Sequence, residues 1–205
     1  TCRFLLGNCY DFHPAQHRIP YDRLEEVDHW ALHRLYKLVQ KTTGAFENFE
    51  YQGVFHAIHN FAAVDMSNFY LDIVKDRLYV LEKDAPSRRA VQTVLAETLK
   101  TLTLLIAPVL SFTAEEVWSY IPFKEKESVL LNAWPELPDC YENEELAARW
   151  ELLLHLREES NKALEAARRE KLIGSSLQAA VELYPDEELY PKLAAYSTLL
   201  PALLI

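Results

Sequence analysis

Apolar residues recur at steps of three and four along most of this chain, and that period confines it to a helical architecture. Leu24, Val27, Ala31, Leu35 and Leu38 mark one face of an amphipathic helix that follows Pro20 and runs to about Thr43, with Gly44 as its expected stop. A second long segment starts near Tyr51, where Val54, Ile58, Phe61, Phe69 and Ile73 give a wide apolar stripe as far as Tyr79. A third carries Val91, Leu95, Leu99, Leu102 and Ile106, and the period fails at Pro108, which has no backbone N–H to donate. In FTAEEV, Thr113 and Glu116 have the spacing of a capping box, and Phe112 and Val117 that of a hydrophobic staple. A helix is therefore expected from Ala114 to about Tyr120.

The fold class that follows is mainly α: a helical bundle over residues 1–122, then the start of a small α+β module. Residues 123–142 read as a connector, first the charged KEKE and then WPELPDC with its two prolines. Residues 143–173 read as a long helix that begins near Asn143 and either completes the bundle or bridges domains. From 174 to 205 the period changes. LQAAVELY reads as a strand with Leu177, Ala179, Val181 and Leu183 alternating, and PDEELYPKLAAY as a short helix, together a truncated α+β junction module. The chain is apolar from Phe4 at its start and carries no charge after Lys192, so it reads as a segment cut at both ends.

Composition excludes several functions. The chain has 205 residues, 50% of them apolar, enough for one sizeable core. Its four glycines are far apart, which removes phosphate-cradling glycine loops. No uncharged stretch is long enough to span a bilayer, and Cys2, Cys9 and Cys140 lack metal-site spacing, so a reduced, cytoplasmic chain is expected. The net charge is −10, but residues 1–110 hold 12 Lys+Arg against 13 Asp+Glu, whereas residues 111–205 hold 9 against 18. The first half could therefore present a local basic face to phosphates, which the second half mostly could not.

No catalytic or metal site emerges. Glu26 and His29 have the spacing of one arm of a di-metal carboxylate bundle, with His33 a turn further on, yet no second such pair exists. His56 and His59 flank Ile58 and read as structural. Lys75 and Arg77, in DIVKDRLY, fit either an intrahelical salt-bridge lattice with Asp72 and Asp76 or phosphate contact. Trp30, Phe69, Tyr70, Trp118 and Trp150 could stack on bases but sit at helical spacing beside leucines, which favours core packing.

Four blocks carry a resemblance: RFLLGNCYDF, DMSNFYLDIVKDRLY, APVLSFTAEEVW and REESNKALEAARREKLIGSSLQAAVELY. In this order and at these separations they resemble bacterial-type isoleucyl-tRNA synthetases of class I, over nearly the whole chain. Cys9 stands where that family usually has Leu, and the family's HIGH and KMSKS signatures are absent. The resemblance implies a helical-bundle anticodon-binding domain of class I synthetases, lying between the catalytic core and the zinc module that often follows in bacterial members. It implies a non-catalytic stretch without cofactor or metal, within a monomeric ligase that uses ATP elsewhere in its chain. Its partners would be isoleucine tRNA and the missing catalytic and C-terminal domains, with no membrane. Arg3, Asn8, Lys75, Arg77, Arg168 and Lys171 are the residues expected to touch tRNA. The valine, leucine or methionine enzymes, and a helical protein-interaction bundle that never meets RNA, are the competing readings.

Overall fold

The computed structural model describes residues 1–204, so Ile205, the last residue of the 174–205 segment, lies outside them. The chain forms two compact units, Thr1–Asn143 and Glu144–Ile205.

In the first unit, α1 (Cys2–Asn8) and α2 (Pro14–His17) precede α3 (Glu26–Glu47), α4 (Tyr51–Asn60), α5 (Leu71–Tyr79), α6 (Pro86–Ile106) and α7 (Ser111–Ser119). Helix α3 packs on α4 and α6, and α6 also meets α1, α5 and α7, so α6 is the central helix. Leu24, Val27, Ala31, Leu35 and Leu38 are all buried, as their spacing requires. Val91, Leu95, Leu99 and Leu102 are buried along α6, together with Thr98, Thr101 and Thr103. The Thr103 hydroxyl donates to the Leu99 carbonyl (2.7 Å), which lets a polar side chain sit in an apolar interior. Cys9 is fully buried, and burial pushes its thiol up to about 12.

The local reading needs four corrections. Helix α3 runs through Gly44 to Glu47 and ends one turn later, where Phe49 N–H donates to Phe46 O (3.1 Å) and Glu50 N–H to Ala45 O (2.8 Å). Between α4 and α5, Phe61–Tyr70 is π-helical, and Phe61 and Met66 are buried five residues apart, with Phe69 and Tyr70 buried at its end. Ser67 and Thr1 hydroxyls both donate to the Ala62 carbonyl there (2.9 and 3.0 Å). Helix α7 begins at Ser111, because Ala114 N–H already donates to Leu110 O (2.8 Å) and needs no threonine cap. Phe112 is 94% exposed and staples nothing. Finally, LQAAVELY (177–184) forms no strand: Ser176–Gln178 is a 3-10 turn, and 179–184 has no regular structure, since a strand needs a paired edge and none of the described residues supplies one.

Residues 123–142 are tied to the first unit by named bonds. Trp118 Nε1 donates to Lys126 O (2.9 Å), Trp134 Nε1 to Thr43 Oγ1 (2.8 Å), and Asn143 N–H to His33 Nδ1 (2.9 Å). In the second unit, α8 (Glu144–Arg169) buries Leu146, Trp150, Leu153 and Leu164. Helix α9 (Tyr190–Ala194) follows, and α10 (Leu200–Leu204) packs on α8, where Arg157 donates to Leu203 O (2.8 Å).

Phe49 closes α3 in the left-handed region, with φ 61°. A bulky residue there is strained by roughly 1–2 kcal/mol. Phe49→Gly is therefore expected to stabilise the fold by about 1 kcal/mol, seen as a higher denaturation midpoint; a lower midpoint would show that the ring itself supports the fold.

Candidate nucleic-acid interface

Several of the sequence-selected side chains are used up inside the bundle. Asp28, in the first turn of α3, is fully buried and accepts from Tyr70 Oη (2.7 Å) and from both Arg77 terminal nitrogens (3.1 and 2.8 Å). Arg77 Nε also donates to Ser87 Oγ (2.8 Å), so one guanidinium joins α3, α5 and α6. Burial weakens the Arg77 charge, but the Asp28 carboxylate outweighs it and the guanidinium pKa is raised. With its side chain only 14% exposed, Arg77 cannot meet a phosphate without breaking this pair. Asn8 Nδ2 donates to Phe4 O (2.9 Å) and Tyr79 Oη (3.4 Å), and its own carbonyl accepts from Gln92 (2.7 Å). It holds α1 in place.

The other four are on the surface. Arg3 is exposed and has no ion pair among the described residues. Lys75 is exposed and pairs with Asp72 one turn away (2.8 Å). Arg168, exposed near the end of α8, pairs with Glu165 and reaches Ser176 Oγ (3.3 Å). Lys171, also exposed, follows with φ 59°.

His29 and His33 are structural. His29 Nε2 lies 2.7 Å from Tyr21 O, its ring against Tyr21, and His33 is buried on the Asn143 N–H. His56 and His59 are different: both are exposed along α4. The five aromatics considered for base stacking, Trp30, Phe69, Tyr70, Trp118 and Trp150, are all buried.

Two surface features of the first unit were not picked out from sequence. From His29 to Phe46, α3 carries Arg34, Lys37 and Lys41 and no carboxylate. Their spacing puts the three cations on one face, where with Asn60 and Asp65 they line a groove of about 210 Å³ against α4. Arg34 pairs with Asp65 (2.9 Å) and Lys37 with Glu142 (2.5 Å), while Lys41 has no partner among the described residues. Burial pushes the Asp65 carboxyl up in spite of Arg34. At the α3–α4 corner, Phe49, Tyr51 and Phe55 are 75%, 56% and 63% exposed, an unusual density of aromatic surface. The acid-free run in α3 was the legible signal for the groove.

The family model described as the anticodon-binding domain of tRNA ligase matches residues 28–183, from α3 into the segment after α8. The chain belongs to that family. Among similar curated proteins, the isoleucine–tRNA ligase of Caldicellulosiruptor bescii is 51% identical over 187 residues, 90% of this chain and 20% of that protein. Those of Natranaerobius thermophilus and Carboxydothermus hydrogenoformans are 43% and 47% identical across 100% of this chain and 22% of theirs. The chain thus spans about a fifth of the length of the curated relatives it matches. Among the described residues of this anticodon-binding domain, no helix is long and apolar enough to cross a membrane.

Proposed function

We propose that this chain is the tRNA-gripping part of an isoleucine–tRNA ligase, holding the anticodon stem-loop while ATP-dependent charging takes place on other parts of a monomeric, cytoplasmic enzyme. The observation that carries this reading is the 43–51% identity to isoleucine–tRNA ligases across 90–100% of the chain. The domain's own chemistry is recognition: unpaired loop bases are read on their edges and faces, and Lys and Arg neutralise phosphates.

Arg3 and Lys75 are the proposed phosphate contacts in the first unit, since both are exposed cations. Arg168 and Lys171 are a second pair at the end of α8, whereas Asn8 and Arg77 act by holding the scaffold. The double charge reversal Arg3→Glu and Lys75→Glu is expected to weaken binding of an isoleucine anticodon stem-loop at least tenfold. It should also flatten the dependence of log K on log salt by about one unit per lost contact. Fluorescence anisotropy at several salt concentrations measures both, and an unchanged affinity and slope would remove these two residues from the interface.

A further inference from the structure

We propose that the α3–α4 corner seats unpaired bases of an RNA loop on Phe49, Tyr51 and Phe55, while the adjoining phosphates run along the Arg34–Lys37–Lys41 groove. This rests on the tRNA-binding reading above and assigns it a surface that the sequence-selected residues do not include.

Helix α3 closes with a hydrogen-bond pattern that glycine satisfies without strain, yet Phe49 holds that position at φ 61° with its ring in water. The ring adds nothing to the closure, and strained positions of this kind cluster at ligand-binding sites. Tyr51 meets both Phe49 and the half-buried Phe46 edge-on (6.4 and 6.1 Å), and Phe46 is braced by Trp134 (5.3 Å). The exposed rings therefore stand on a fixed support.

One turn along α4, Phe55 stacks on His59 (5.8 Å, 27°) and borders an apolar pocket of about 230 Å³ that Ile58, Ile106 and Leu110 complete. Its walls offer almost no polar edge, so it takes a base by its face and does not discriminate among bases. The basic groove and this pocket use different sides of α4: Ala57, Asn60 and Phe61 face the first, and Val54, Phe55, Ile58 and Ala62 the second. His59 also lines the second, and both His56 and His59 are exposed.

Charge selects the occupant. An apolar protein segment gains nothing from three cations beside its seat, one of them unpaired, whereas an RNA loop presents stacking faces and phosphates together. Glu47 and Glu50 flank Phe49 and repel phosphate, which leaves base faces to the corner and the backbone to the groove.

The test uses an isoleucine anticodon stem-loop with 2-aminopurine in the loop, titrated onto the wild-type chain and onto Phe49→Gly, Phe55→Ala and Lys41→Glu. Wild type should quench the probe as it stacks. Phe55→Ala should lose the quench and about tenfold in affinity at unchanged salt slope. Lys41→Glu should weaken binding and flatten the slope by about one unit. Phe49→Gly should bind more weakly although its fold is more stable, which rules out unfolding as the cause. Wild-type binding with all three variants unchanged in affinity, quench and slope would overturn the proposal and leave tRNA recognition standing. The same follows if Phe49→Gly and Phe55→Ala bind RNA normally but lower the melting point of a full-length ligase, which would assign the patch to a protein contact. Failure of the wild type to bind the hairpin at low salt would instead remove the tRNA reading itself.

Discussion

Asp28→Ala is expected to destabilise the first unit by about 3–5 kcal/mol, because it strips a buried guanidinium of its buried, bidentate counter-charge. The Asp28 side chain is 0% exposed and accepts from Tyr70, from Arg77 twice and from the Glu25 backbone N–H (3.2 Å). Without it, Arg77 retains Ser87 and the half-exposed Glu25 carboxylate (3.2 Å), and the Tyr70 phenol loses the only acceptor the structure gives it. Burial, and then the neighbouring carboxylate, hold that phenol well above its usual pKa, so it stays a neutral donor at any working pH. Asp28→Asn keeps the shape and loses the charge, and should cost about half as much. Urea denaturation measures both. A loss under about 1 kcal/mol for the alanine variant would mean that Arg77 finds another partner, and that this network does not join α3, α5 and α6.

Asp11→Ala should have a comparable effect, again about 3–5 kcal/mol, for a different reason: one buried carboxylate serves two buried cations, and the further partner of Arg89, Asp84 (2.7 Å), is 78% exposed. Arg88 reaches Asp11 through both terminal nitrogens (3.1 and 3.2 Å), and Arg89 lies 3.4 Å from the same carboxylate and donates to the Asp11 carbonyl (3.1 Å). Gln92 donates to it as well (2.7 Å), and Arg89 Nε is already buried without a partner. Desolvation pushes the Asp11 carboxyl up, but hydrogen bonds from Arg88 and Gln92 and the two positive charges outweigh it and hold the group below the usual carboxylate range. A carboxylate with a depressed folded-state pKa stabilises the fold above its unfolded value, about 3.9, and that stability is lost as the pH falls through the folded value. Wild-type stability should therefore drop below about pH 4, while Asp11→Ala, weaker throughout, should show a flatter acid limb. Parallel acid limbs in the two proteins would exclude Asp11 as the group responsible.

These networks mark the limit of what the sequence could reveal. The stripes of α3 and α6 were legible because a core face repeats every three or four residues whatever its partner is. The π-helical stretch was not, because a 3.6-residue template picks out Phe61 and Phe69 as one stripe but does not register Met66, buried between them five residues after Phe61. Thr113 and Glu116 match a capping box, yet the chain before them is already helical, with Ala114 N–H donating to Leu110 O, so no helix begins at Thr113. Lys75 pairs within its own helix as local spacing suggests, but Arg77, two residues on, pairs with Asp28 across the bundle, and no local rule separates the two. The same holds for aromatics. Trp30 and Trp118 are buried and Phe49 and Phe55 exposed, a division set by tertiary packing and, at Phe49, by a helix ending that composition suggested at Gly44. Arg3 and Lys75 were found as surface cations, whereas the groove on α3 depends on an absence of carboxylates that becomes meaningful only beside α4.

The most direct test of the account compares the affinity of this chain for isoleucine, valine and methionine tRNA transcripts at one low salt concentration, by fluorescence anisotropy. Reading of the isoleucine anticodon requires tightest binding of the isoleucine tRNA, with the advantage lost when its anticodon loop is replaced by the valine one. Equal affinity for all three would reduce the domain to a non-selective phosphate binder, and a preference for valine tRNA would contradict the isoleucine reading outright.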